Sequence, residues 1–362
     1  MTIASPVILP ADARLDTLLS LQLAFESAYE GAYQGAEYTD WTSFTRMASP
    51  VGDQTLTIYA EPMKTLRQWL SERPSQEFHF QHWVSSVRRF ADSIALDLRD
   101  LRDDAAPEKR ETYLEGARMF GEAAAALWPG LVVEALFRGI SQEWIPDGQM
   151  VLDTHPYNVR VPSLGSHRNY RANNVQGGSA AFPHTYANIL TALKHGEAFK
   201  MPTGNTVADM PIRYDTIFSG PGSESNIRRL ISYPDLPGYE VNSSNVGGLS
   251  PNEIARSYKL EQRVLAGMPT NVWGLAATRR PMGRSLWVKK RHDIVWQQTG
   301  PVAFNMNTMM GSIAGVVSDE VFNTGQVKVG PYAEGEAGFG NWWNVALFDG
   351  NNSPVNSVTV TA

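Results

Sequence analysis

The stretch PEKRETYLEGARMFGEAAAALWPGLVVEALFRGI, residues 107–140, constrains this chain more than any other. Leu114, Ala117, Phe120, Ala124, Leu127, Leu131, Ala135 and Gly139 recur at three- and four-residue spacing, which puts them on one buried face of a long helix. Pro107 stands where a missing N–H costs nothing, and Glu108 and Glu111 lie near the positive end of the helix dipole. Pro129 and Gly130 are expected to kink the helix.

The other periodic segments are shorter. Residues 12–36 carry Leu15, Leu18, Leu19, Leu21, Leu23, Ala24 and Ala28 in a helical pattern, read as a helix on an arm rather than a core element. TLTIYAE (55–61) reads as a strand. From Gln76 to Asp104 the pattern alternates, with Phe78 and Phe80 on one face, then Ile94, Leu96 and Leu98 against Asp97 and Arg99, which predicts a long two-stranded excursion. Residues 157–183 form a polar loop. HTYANILTALKHG reads as a helix, IRYDTIF as a strand, and SGPGSESNIRRLIS as a turn capped by Ser223 or Ser225 into a further helix. Strands follow at NVWGLAA, SLWVKKRHDIVWQ and NWWNVALF. Helices mixed with non-alternating strands, without an internal repeat, place the chain in the α+β class.

A net charge of −6 argues against a dedicated nucleic-acid binder, whose affinity comes from Lys and Arg neutralising phosphates. With no Cys, there is neither a disulfide framework nor a thiolate nucleophile. The N-terminus lacks a basic region followed by an apolar core, and no apolar run approaches the ~20 residues that span a bilayer, so the chain reads as soluble and cytoplasmic. WIPDGQMVLDTHPYN gathers Asp147, Asp153 and His155 within nine positions, the makings of a metal or acid/base cluster. No HExxH spacing accompanies them, while PDG and HP are turn signals, so the three are read as fixing a structural turn. SGPGSES lacks the lysine and spacing of a P-loop, GEAGFG has the wrong glycine intervals for a dinucleotide fingerprint, and VKKRH reads as a solvated strand face. No catalytic, metal or cofactor site emerges.

TLTIYAEPMKTLRQWL, LRDLRDD, the proline-interrupted helix, DGQMVLDTHP, IRYDTIFSGPGSESNIRRLIS, PMGRSLWVKKRHDIVW and QVKVGPYAEGEAGFGNWWNVALF follow one another in a telling order. Over residues 40–350 that ordered set resembles the major head subunit of Mu-like tailed phages. The chain departs from that family in its long polar loop and in the acidic Glu334 and Glu336.

The resemblance implies a Hong Kong 97-type capsid fold, divided as an N-terminal arm (1–60), an E-loop region (61–106), a peripheral domain with a spine helix (107–183), an axial domain (184–318), return strands to the peripheral domain (319–350) and a C-terminal tail (351–362). It implies a protein without enzymatic activity or cofactor that self-assembles into hexamers and pentamers of an icosahedral head. Phe78, Phe80, Trp83, Arg88 and Arg89 of the E-loop would dock on neighbouring subunits, an aromatic and arginine combination typical of interface anchors. Implied partners are other copies of the chain, a portal, a scaffold, a decoration protein and non-specifically contacted DNA, with no membrane. The location is the virion, after assembly in the host cytoplasm. An encapsulin-like compartment is the rival reading, and a metal-dependent hydrolase using Asp153 and His155 a more distant one. Residues 74–106 contain no lysine, so this E-loop carries no amine for the isopeptide crosslinks of some relatives.

Overall fold

The computed structural model describes residues 11–36, 39–43, 45–48, 54–60, 80–97, 107–141, 154–156, 166–168, 170–172, 183–203, 206–209, 211–237, 249–279, 284, 286–299, 326–340 and 342–351. Its first elements are α1 (Ala11–Ala36), β1 (Thr45–Ala48), β2 (Gln54–Ala60), β3 (Phe80–Ser86), β4 (Arg88–Ala91), β5 (Ile94–Asp97) and α2 (Pro107–Ser141). After them come β6 (Thr154–Pro156), β7 (Ser166–Arg168), β8 (Tyr170–Ala172), α3 (Tyr186–Glu197), β9 (Lys200–Thr203), β10 (Thr206–Asp209), β11 (Thr216–Ser219) and α4 (Glu224–Ser232). The chain continues with β12 (Asp235–Pro237), β13 (Leu249–Pro251), β14 (Glu261–Val264), β15 (Val272–Ala276), β16 (Leu286–Thr299), β17 (Gln326–Phe339) and β18 (Val345–Asp349). The architecture is α+β, as the sequence pattern predicts.

Helix α2 organises the molecule. It starts at Pro107 and runs as one helix through Pro129 to Ser141. Proline removes one intrahelical hydrogen bond, and here the loss is offset by burial on nearly every side. Leu131, Val132, Val133, Ala135, Leu136 and Phe137 are all at most 1% exposed. A single apolar face would bury only every third or fourth of these positions, so this half of the helix has partners all round. By length and composition Glu111–Ile140 could cross a membrane, contrary to the sequence reading of no such run, but 72% of its apolar window is buried inside the protein and it serves as a core helix.

One partner is α1, which is not a detached arm. Phe25 and Tyr29, four residues apart on one helical face, are buried, and Phe25 packs with Ala117 and Val329. The crossing is close at Gly121, where an added Cβ would lie 2.4 Å from the Tyr29 carbonyl oxygen. A second partner is the sheet β1-β16-β17, with β1 parallel to β16 and β16 antiparallel to β17. The far edge of β17 carries β4 and then β5, both antiparallel. Between those two strands the chain bends at Asp92, whose N–H donates to the Pro331 carbonyl, and a Cβ on Gly330 would fall 2.0 Å from the Asp92 oxygen. The alternation over 76–104 predicts an excursion paired within itself, but β3 pairs with β2, and β4 and β5 join the α2 sheet. Period-two patterning identifies strands without naming their partners.

The third partner is the mixed sheet β14-β11-β15-β18-β8. Its strands β11, β15 and β18 are buried on both faces, so they read as largely apolar runs. Phe218, Val272, Ala276, Val345 and Leu347 face α2 in one core, while Ile217, Trp273, Leu275, Ala346 and Phe348 face α3 and α4 in a second. A short 3-10 turn, Asp40–Ser43, ties the two sheets together: Asp40 accepts from the Val264 N–H (2.9 Å), and β1, which comes just after the turn, pairs with β16.

Candidate assembly interface

Strand β4 is fixed by charge. The Arg88 guanidinium donates from Nε to Glu336 Oε2 (2.6 Å) and from Nη1 to Glu134 Oε1 (2.8 Å). From the last turn of α2, Arg138 Nη2 donates to Glu336 Oε1 (2.6 Å) and to the Ala337 carbonyl. Glu336 and Glu134 are buried, and two arginines pair with them, as buried charged groups require. Burial disfavours the Arg88 guanidinium, but Glu336 and Glu134 outweigh it and raise its pKa. This joint connects β4, α2 and β17. Glu336 is its hub.

A second acidic centre lies one register step away. Glu334 is buried, stands opposite Arg89 on one side and His292 on the other, forms ion pairs with Arg89 Nε (3.1 Å) and Arg291 Nε (3.3 Å), and accepts a hydrogen bond from the Tyr332 hydroxyl. The tyrosine hydrogen bond first, then Arg291 and Arg89, hold its carboxyl below the usual carboxylate range.

The VKKRH stretch is only partly the solvated face expected from sequence. Lys289 is buried, and burial with Arg46 nearby pushes its amine down from the usual range. Lys290 sits 4.8 Å from the Trp128 ring and 5.9 Å from the Trp41 ring, with Asp293 Oδ1 at 3.0 Å. Trp128 also donates its indole N–H to Asp293. Only Arg291 and His292 open to solvent in the expected manner.

Of the residues singled out in sequence, Arg88 and Arg89 adjoin one another across these two centres. Phe80 and Trp83 lie on β3, with Trp83 opposite Thr57. Phe78, Asp147 and Asp153 lie outside the described residues. His155 lies on β6 in register with His167. Among the described residues no group of three or more His, Cys, Asp or Glu is placed to hold a metal. The SGPGSES stretch forms a 3-10 turn, Pro221–Ser223, leading into α4. Ser223 occupies the N-cap, but its backbone is already near-helical and its side chain makes no capping bond. GEAGFG begins inside β17. Sequence reasoning missed Glu134 and Arg138, although a carboxylate and a guanidinium four residues apart in an otherwise apolar half-helix signal a buried partner.

A long helix is thus clasped to a sheet, with an ionic joint at the root of the strand that follows β3. Residues 18–190 match the family model of the Mu-like prophage major head subunit gpT. The gpT segment is just under half of the chain and runs from α1 through β2–β5 and α2 into α3, so the resemblance read from the ordered motifs holds there. No curated protein matches the sequence. Among solved structures, the chain is similar to the procapsid of bacteriophage JBD30, with 15% identity, 94% of this chain and 76% of that one covered, and a TM-score of 0.45. It is also similar to the capsid of the native GTA particle, with 12% identity, 86% and 89% covered, and a TM-score of 0.46. A virus-like particle from Pyrococcus furiosus is similar at 8% identity, 90% and 97% covered, and a TM-score of 0.47.

Proposed function

We propose that this chain is a major head subunit of the Hong Kong 97 type, which self-assembles into hexamers and pentamers of an icosahedral phage head around double-stranded DNA. The gpT match over residues 18–190 carries this reading. The architecture supports it: α2 serves as the spine helix, β2 and β3 as the paired strands of the E-loop, and the sheet containing β15 as the centre of the axial domain. Phe78, Phe80 and Trp83 dock the E-loop on a neighbouring subunit. Asp147, Asp153 and His155 fix the turn after the spine helix. The subunit acts by assembly and not by catalysis. Its partners are other copies, a portal, a scaffold, a decoration protein and loosely contacted DNA, and its place is the virion after assembly in the host cytoplasm. The gpT match favours this reading over an encapsulin-like compartment, and nucleic acid in purified particles separates the two.

Sizing and electron microscopy of the expressed protein, alone and with its genomic neighbours, test the proposal. The expected result is capsomers or shells that fall to a single band near 40 kDa on a boiled denaturing gel, since the E-loop has no lysine to weld. A strictly monomeric protein under every condition overturns the assembly reading, and a heat-stable ladder overturns the non-covalent one.

A further inference from the structure

His155, read from sequence as part of a turn, acquires a counterpart in the fold. Strands β6 and β7 form a two-stranded antiparallel pair of their own, joined in the chain through residues 157–165. The register sets His155 directly opposite His167, with Thr154 against Arg168 and Pro156 against Ser166. Directly opposed residues of an antiparallel pair share one face of it, with Cβ atoms about 4.5–5.5 Å apart. The chain has seven histidines, and among the described strands these are the only two brought opposite one another. Their sequence interval matches no HExxH-type spacing, so the register alone joins them.

We propose that His155 and His167 form a two-imidazole seat for one late first-row divalent cation, which clips β6 to β7. The proposal stands apart from the assembly reading. Imidazole is the commonest metal-binding side chain and suits nickel, copper and zinc, whereas magnesium and calcium take oxygen ligands. Among the described residues no third His, Asp or Glu completes a cluster, so water fills the remaining positions and the ion exchanges. A catalytic zinc takes three protein ligands and a closed structural one takes four, which sets this pair apart from both. The fold has a use for such an ion. Each strand is three residues long, and an isolated two-stranded pair is marginal in water. A metal that binds the paired state and not the open one stabilises it by mass action, and holds closed the 157–165 connection, whose closure costs entropy. Pro156 fixes the backbone beside His155, which lowers the cost of ordering that ligand.

The test uses the full chain, stripped with a chelator and dialysed against nickel ions alone. His155→Ala and His167→Ala should each weaken nickel binding by at least the roughly 10–100-fold that loss of an outer-shell partner costs. The double variant should lose little more than either single one, because one substitution already breaks the chelate. His292→Ala, at an exposed histidine on β16, should bind nickel as the unaltered chain does. A second measurement needs no substitution. In the unaltered chain, nickel at a hundred times its dissociation constant should slow hydrogen exchange at His155 and Ser166–Arg168 by up to about a hundredfold, and leave Tyr186–Glu197 unchanged. Nickel uptake that both alanine variants retain, or uptake without protection of these amides, overturns the proposal. One nickel shared between two chains, seen as metal-driven association that either variant abolishes, overturns the clip within one chain.

Discussion

Glu336→Ala should destabilise the unassembled subunit by about 3–5 kcal/mol, the range for removing one member of a buried ion pair. Glu336 is 2% exposed and accepts from both Arg88 and Arg138, so its loss leaves two guanidiniums to share Glu134. Arg88 is half-buried and can turn partly toward water, which places the effect near the lower end. Urea unfolding followed by circular dichroism measures it, and a loss under about 1 kcal/mol would show that the joint is solvated in practice. Adding Arg88→Ala to the variant should cost less than the sum of the two single changes, because residues in one network couple. Hydrogen exchange supplies a positional readout: amides of β4 should lose protection before those of α2, since β4 is an edge strand fixed largely by this joint.

What the sequence disclosed and what it withheld divide along physical lines. Local signals transferred well: Pro107 opened α2, HTYANILTALKHG became α3, and the apolar runs at 272–276 and 345–349 became strands. Long-range pairing did not transfer. Alternation along 76–104 is compatible with several partners, and the choice of β2 for β3 and of β17 for β4 and β5 depends on residues more than two hundred positions away in the latter case. The ionic joint was half legible. Arg88 and Arg89 stand out as a pair, but the role of Glu334 and Glu336 requires knowing that β17 passes beside β4. The burial of Lys289 was hidden for the same reason, since a charged residue on a strand defaults to solvent until the opposing layer is known. The packing of α1 against α2 was hidden as well, because Phe25 and Tyr29 have a partner only once α2 is in place.

The last large effect concerns the strand separating the two cores. Trp273 of β15 is wholly buried and stacks on Phe348 at 4.3 Å, in the cluster that includes Ile189, Leu193 and Ile227. Its neighbour Gly274 faces the other way, where a Cβ would meet the Phe218 ring at 2.2 Å. The strand therefore fills one core with an indole and admits a phenylalanine to the other by having no side chain. Trp273→Ala should cost about 3–5 kcal/mol, through lost burial and a cavity that β15, paired on both sides, cannot collapse to fill. Tyr233→Ala, at an exposed side chain after α4, should stay within about 0.5 kcal/mol and serves as the control. Because the indole belongs to the α3 and α4 core, hydrogen exchange in Trp273→Ala should rise in Tyr186–Glu197 and Glu224–Ser232 well before it rises in Pro107–Ser141. Equal loss of protection in all three helices would mean that the two cores unfold as one unit and that β15 transmits strain between them.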